Sequence, residues 1–255
     1  MRSVPILLYH RVDDVPPERD PLGLVVSPAQ FAEQMDYLHK NNYHCLPLGT
    51  VVKVGMSGKR APRRTFSITF DDGSKDLYDQ ALPALRRHGF TATVFLVVVR
   101  VGGETDWEGQ SGDLAFPLLS WGEIREMERQ NIQFGSHSRT HPRLGNADDE
   151  QVIWEACSSK QIIEEELGHP IELFAYPYED FTATTLKLVE QCGYLGACGS
   201  SRLPESRFNL WRAEVFAHDS LSSFAFKMSR GWRLLTGFKR QARALRAFVN
   251  RPFGK

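Results

Sequence analysis

Apolar and polar positions along this chain switch between two periods. Four short runs, residues 6–9, 66–70, 91–98 and 173–176, are apolar or β-branched at nearly every position. Runs of that kind predict strands covered on both faces, as in a parallel sheet. Between them the apolar positions spread out, with Phe31, Met35 and Leu38 on one predicted helix, Leu77, Leu82 and Leu85 on a second, and Ile124 and Met127 on a third. Two helix starts are written out in full. Ser27-Pro28-Ala29-Gln30 offers an N-cap, a proline at the first helical position and a glutamine two residues on, and Ser120-Trp121-Gly122-Glu123 has the spacing of a capping box. A long helix is predicted over about residues 149–167 and another ending at Cys192, with further strands at 132–135, 194–198 and 213–217. There is no internal repeat and no low-complexity segment.

Strand–helix units in series predict a parallel sheet with helices outside it, and seven or so of them predict closure into a barrel. The expected fold is a distorted (β/α)7 barrel followed by a C-terminal basic amphipathic helix. His10, Asp71, Asp72, His137, Tyr176, Tyr178 and His218 all fall at or just past the C-terminal ends of predicted strands. That end of a parallel barrel is the face that carries catalysis.

Composition adds little until charge is mapped. The 255 residues, 42% hydrophobic and 24% charged, suit one large α/β domain or two small ones. Net charge is zero, yet nine of the 31 Lys and Arg lie in residues 227–255, which hold no Asp or Glu. Residues 1–226 therefore carry 22 basic against 31 acidic groups, a net −9. This divides the chain into a body, 1–226, and a basic extension, 227–255. Trp232, Leu234, Leu235, Phe238, Ala242, Leu245, Phe248 and Val249 recur there at helical spacing, with Arg233, Lys239, Arg240, Arg243 and Arg246 between them. Such a helix either docks its apolar stripe on the barrel or lies on an anionic membrane surface through residues 230–250. The acidic body argues against a nucleic-acid partner. Cys45, Cys157, Cys192 and Cys198 show no CxxC spacing and are expected to be thiols in a reducing compartment. The N-terminal apolar run is too short for a signal peptide, and no window is long enough to span a membrane. The expected location is cytoplasmic, at the inner membrane face if the basic helix lies on the membrane and not there if it docks on the barrel.

Two strings carry the chemistry, Thr69-Phe70-Asp71-Asp72-Gly73 and Ser136-His137-Ser138-Arg139-Thr140-His141. Each alone has an ordinary explanation, since Asp-Gly is common turn chemistry and exposed histidines are frequent. Together they supply two imidazoles and one carboxylate, a three-ligand set for a catalytic metal with an open position, and leave a second carboxylate to act as base. Zn²⁺ suits these donors best, and Co²⁺, Ni²⁺ or Fe²⁺ also fit.

With Tyr9-His10, the Leu119-Ser120-Trp121 segment and Phe174-Ala175-Tyr176-Pro177-Tyr178, these strings resemble the polysaccharide deacetylase family, the NodB-homology domains of carbohydrate esterase family 4. The resemblance covers most of residues 3–225. The Phe-Ala-Tyr-Pro-Tyr form is similar to the branch that includes biofilm poly-N-acetylglucosamine deacetylases. It implies a hydrolase that removes N-acetyl groups from the amino sugars of a polysaccharide, oligosaccharide or lipid-linked glycan, releasing acetate. It further implies that Asp71 is the base, that Asp72, His137 and His141 hold the metal, and that the backbone N–H of Tyr178 helps bind the oxyanion. Tyr176 and Trp121 are implied at the substrate site.

Three departures bear on that transfer. Tyr176 stands where many members have an Arg that tunes the base. Glu179-Asp180 follow where the family motif usually continues with Gly, so that Glu179 could reach substrate. The general acid falls between His218, in Phe216-Ala217-His218-Asp219, and His10. Trp121 has a simpler role packing on the barrel, and Arg212 either pairs with a carboxylate near the site or caps a strand, the structural role being the expected one. Two other functions share the residues: hydrolysis of a non-carbohydrate amide or cyclic imide, and a catalytically idle glycan-binding scaffold.

Overall fold

The computed structural model describes residues 4–236 except 108, 230 and 233. The chain enters through β1 (Ile6–Tyr9), passes a short parallel pair, β2 (Arg11–Val12) and β3 (Val25–Val26), and forms α1 (Pro28–Lys40). The Ser27 hydroxyl caps α1, accepting the Gln30 N–H at 3.2 Å, and Phe31, Met35 and Leu38 are fully buried. β4 (His44–Cys45) and α2 (Leu48–Met56) precede β5 (Thr65–Phe70). The helix marked by Leu77, Leu82 and Leu85 starts as one π-turn, Leu77–Ala81, before α3 (Leu82–Arg87). Pro83 explains the irregular start, because it has no N–H to donate and its ring crowds the carbonyl four residues back. Next come β6 (Thr93–Leu96), α4 (Trp121–Arg129) with both halves of its capping box formed, and β7 (Gln133–Ser136). They are followed by α5 (Asp149–Leu167), β8 (Leu173–Ala175), α6 (Ala183–Gln191) and β9 (Gly196–Gly199). The chain ends its sheet with β10 (Leu210–Trp211) and β11 (Ala213–Glu214), before α7 (Leu221–Lys227).

The strands pair in parallel in the order β10-β9-β8-β7-β6-β5-β1-β11, with β4 also on β5. Only Arg212 separates β10 from β11. Residues 210–214 therefore act as one split stave, paired with β9 through the first half and with β1 through the second. That stave makes the seventh of a nearly closed barrel. Side chains alternate across the wall. Leu7, Val94, Phe174 and Ala197 belong to the main core beneath the helices, whereas Ile6, Phe95, Leu173, Ala175 and Cys198 form a separate cluster with Leu48 and Val52 of α2. α2, a helix the sequence pattern does not signal, thus packs on that second cluster.

Two expectations need correction. Cys157 in α5 and Cys192 just past α6 are disulfide-bonded, because those helices pack side by side and bring the Cα atoms to 5.0 Å. Thiols remain at Cys45 and Cys198, so the cysteine argument for a reducing compartment no longer holds. Of the basic extension, Trp232 packs against the main core while Leu234 and Leu235 are exposed. Arg233 and the remainder, from residue 237 to the end, lie outside the described residues. Among the described residues no helix is long and apolar enough to cross a membrane.

Candidate functional site

β5 is buried along its whole length, and Asp71 extends its ladder by donating its N–H to the Tyr9 carbonyl at 3.0 Å. The chain then turns back through Asp72 (φ 71°) and Gly73 (φ 78°). Gly73 suits this turn because its left-handed φ is one that other residues adopt only with strain. The turn sends the two carboxylates to different partners. Arg212 grips Asp71 with two parallel bonds, Nη1 to Oδ1 at 2.6 Å and Nη2 to Oδ2 at 2.7 Å. Asp72 faces the histidines, its Oδ1 3.6 Å from His137 Nε2 and 3.5 Å from His141 Nε2.

β7 delivers both imidazoles through a loop with left-handed residues at Ser138 (φ 69°) and His141 (φ 65°). Its backbone is tied down locally. Ser136 Oγ accepts the Ser138 N–H and Ser138 Oγ accepts the His141 N–H, both at 3.0 Å. The buried carboxylate of Glu155 on α5 accepts the N–H groups of Arg139 and Thr140 at 2.8 and 2.9 Å and the Thr140 hydroxyl. The two rings are then oriented differently. His137 Nδ1 bonds the Ala175 carbonyl at 2.9 Å, which leaves Nε2 for a metal. His141 Nδ1 is buried without a hydrogen-bond partner, and that ring stacks on Trp107 at 4.4 Å with Tyr178 edge-on at 4.5 Å.

Ionisation follows from these surroundings. Burial opposes a charge on Asp71, but Arg212 and then His137 outweigh it and hold the carboxyl well below the usual carboxylate range. Burial, reinforced by Asp71, pushes Asp72 up to about 8, against a hydrogen bond from Gln110. Burial also lowers His137 and His141, so both rings are neutral and able to coordinate. The donor set thus fits a divalent cation: the ligand atoms of Asp72, His137 and His141 lie within 4.8 Å of one another. The burden of ionising Asp72 is one that a cation there would lift.

These groups open into a cavity of about 330 Å³, also lined by His10, Leu22, Trp107, Gln110, Tyr176, Tyr178, Glu179, Glu214 and Phe216. Tyr176 contributes to the floor, with its ring against Phe174 and Phe181 and its hydroxyl donating to the Phe208 carbonyl at 3.1 Å. His10 reaches the cavity and its Nδ1 is buried without a partner. His218 does not line it; the residue is exposed, stacked on Phe216 at 5.2 Å. Trp121 does not line it either, since its place at the first turn of α4 packs it on the main core. Of the two roles open to Arg212, the structure shows the pairing with a site carboxylate: it stands on the split stave and braces Asp71. Trp107, Gln110 and Glu214 have no motif around them that could have announced them.

The model of the family described as "Polysaccharide deacetylase" matches residues 58–197, more than half of the chain. The chain belongs to the polysaccharide deacetylase family. The YxkH protein of Bacillus subtilis (strain 168) is 26% identical over 226 residues, 87% of this chain and 75% of that one. A poly-beta-1,6-N-acetyl-D-glucosamine N-deacetylase of Staphylococcus aureus (strain MSSA476) is 24% identical over 66% of this chain, which spans 58% of that relative's length. Among solved structures, the Streptococcus pyogenes deacetylase PplD, in complex with acetate, superposes with a TM-score of 0.76. It covers 89% of this chain and 98% of its own at 22% identity, a likeness of fold.

Proposed function

We propose that this polysaccharide deacetylase removes N-acetyl groups from the amino sugars of a glycan by metal-dependent hydrolysis, releasing acetate. The observation that carries the reading is the Asp72–His137–His141 cluster with Asp71, held ionised by Arg212, at its side. The Staphylococcus aureus relative, named for poly-β-1,6-N-acetylglucosamine, supports a β-linked N-acetylglucosamine polymer as the substrate class.

Asp72, His137 and His141 would hold the metal, with Zn²⁺ favoured by two imidazoles and one carboxylate. When bound, that ion supplies Lewis acidity, polarising an amide carbonyl and acidifying water. The protein's own groups do the rest. Asp71 accepts the proton of the attacking water, and Arg212 keeps it ionised and points it into the cavity. His137, fixed by the Ala175 carbonyl, presents Nε2 in one tautomer. The resemblance assigns the developing oxyanion to the Tyr178 N–H, a role worth about 3–4 kcal/mol when such a donor is removed elsewhere. Phe216 forms a wall against which a sugar face can pack, above a floor to which Tyr176 contributes.

The test is acetate release from a panel of N-acetylated glycans, with the full chain, with and without a chelator, and with Asp71→Asn. The expected losses are complete on chelation and about 10²–10⁴-fold for the substitution. Turnover that survives either treatment would sink this mechanism.

A further inference from the structure

The histidine loop leans on one short stretch of α5. Between Val152 and Ile163 the buried residues of that helix are Glu155, Ala156 and Ser159. Glu155 accepts the Arg139 and Thr140 N–H groups. Ser159, one turn on, has its Oγ 2.7 Å from Ser136 Oγ, which accepts the Ser138 N–H. Ser138 Oγ then accepts the His141 N–H. Two of the three metal ligands therefore depend on where residues 155–159 of α5 stand.

Apolar packing gives that stretch little hold. Its sequence, Glu155-Ala156-Cys157-Ser158-Ser159, has no large apolar side chain, and burying an alanine contributes far less than burying a leucine or phenylalanine. The chain that leaves α6 holds it instead. Cys157, midway between the two supports, is disulfide-bonded to Cys192, with the Cα atoms 5.0 Å apart. Two residues further along, the Tyr194 hydroxyl donates to the Ala156 carbonyl at 2.8 Å and lies 3.4 Å from Ser159 Oγ. Residues 192–194 thus pin the same turn of α5 twice, once covalently and once through a buried hydroxyl. Both cysteines are half-buried rather than sealed in the core, which leaves the pair open to a small dithiol.

We propose that the Cys157–Cys192 disulfide is a positioning device for the metal site: closed, it holds α5 against the histidine loop, and opened by a dithiol reductant, it lowers the affinity of Asp72, His137 and His141 for their cation. The inference rests on the metal-binding reading of that cluster. The chemistry is thiol–disulfide exchange. One thiolate of the reductant attacks a sulfur of the pair, and its second thiol then displaces the mixed disulfide. Two electrons and two protons pass to Cys157 and Cys192, which become thiols, and the reductant leaves as a disulfide. Tyr194 keeps its bond to α5, so the helix loosens without leaving.

The test is zinc titration of the metal-free full chain, below the melting transition of every form compared. Groups that support metal ligands are worth about 10–100-fold in affinity, and the double variant Cys157→Ser/Cys192→Ser should lose about tenfold. The Arg139 and Thr140 amides should exchange hydrogen faster in it, and acetate release at saturating zinc should stay near wild type. Leu188→Ala, a large-to-small change on the buried face of α6, separates positioning from general stability. It should lower the melting temperature and leave zinc affinity and those two amides near wild type. Reducing the wild type with a phosphine, then removing it, should give the same loss as the serine pair, and re-oxidation should restore the affinity. That arm decides the matter if the serine variant does not fold. Unchanged zinc affinity in the open forms, an equal loss in Leu188→Ala, or two free thiols in air-purified wild type by mass spectrometry would overturn the proposal. A wild type that binds no zinc ends the metal reading and this one together. Zinc binding without acetate release from any glycan ends the N-deacetylase reading alone, and the affinities still decide the role of the disulfide.

Discussion

His137 and His141 stand on a loop whose N–H groups from Ser138 to His141 bond within three residues or to one neighbouring helix, while the His137 ring reaches the Ala175 carbonyl; Asp71 instead depends on a guanidinium 141 positions away. The metal-binding side of the cavity is thus local, built from the ends of β5 and β7 and clamped by Glu155. The proton-handling side is assembled across the barrel, from β5 and the split stave that carries Arg212 and Glu214. Local construction shows in the sequence as compact strings, and distributed construction leaves isolated residues. The comparison also separates two consequences of mutation. Damage to the first side should weaken metal binding, and damage to the second should spare metal and change proton transfer.

The strongest way to break that separation is at Arg212. Its side chain is fully buried, as is nearly all of Asp71, so Arg212→Gln leaves a buried carboxylate without its counter-charge. Removing one partner of such a pair costs about 3–5 kcal/mol, and the variant should melt well below wild type. Arg212→Lys keeps the charge but cannot form both bonds, and should fall between the two. Zinc affinity by titration calorimetry should change little in whichever variant folds. A large loss of zinc affinity in the Lys variant would show that the two sides are not separable.

A smaller effect is expected at Glu155, on the other side. Its buried carboxylate satisfies two backbone N–H groups and a hydroxyl in the histidine loop. Glu155→Ala orphans them, and buried unsatisfied donors cost about 1–3 kcal/mol. Melting temperature and zinc affinity should fall together here. If stability falls with zinc affinity unchanged, the clamp serves the fold and not the ligands.

The legibility of this molecule follows the same division. α1, α4 and α5 could be read because their caps and apolar faces are local, and the barrel because its buried strands alternate with them. α2 was missed, since Val51, Val52, Val54 and two glycines weaken any helical preference and only packing on the barrel's inner cluster fixes it. Asp71, Asp72, His137 and His141 were found from compact strings, whereas Trp107, Gln110 and Glu214 are single residues in unmarked sequence. For Arg212 the sequence leaves two roles open, a carboxylate partner or a strand cap, and the less favoured one holds, because which residue faces it depends on how the barrel closes. His218 was put forward from a loose motif, and the turn after β11 carries it outside the cavity. The cysteines misled for a related reason: Cys157 and Cys192 are 35 positions apart, and only the packing of α5 on α6 joins them.

Within the metal-binding side the two histidines differ, and Trp107 tests what that difference means. His137 is locked by a hydrogen bond to a backbone carbonyl, so its orientation survives most side-chain changes nearby. His141 has no such bond at Nδ1, and its ring plane is set by Trp107 on one face and Tyr178 at the edge. The indole does a second thing: its N–H donates to Gln110 Oε1 at 2.6 Å, and Gln110 in turn bonds Asp72. One residue outside the ligand set therefore braces two of the three ligands. Groups of that kind are worth about 10–100-fold in metal affinity. Trp107→Ala should sit near the lower figure, since the Ser138 and Glu155 bonds still hold the loop. Trp107→Phe should recover the part due to stacking and leave the part due to the Gln110 bond, while Gln110→Ala should show the complement. Zinc titrations of the three variants resolve the two contributions, and equal affinities in wild type and Trp107→Ala would show that the loop alone orients His141.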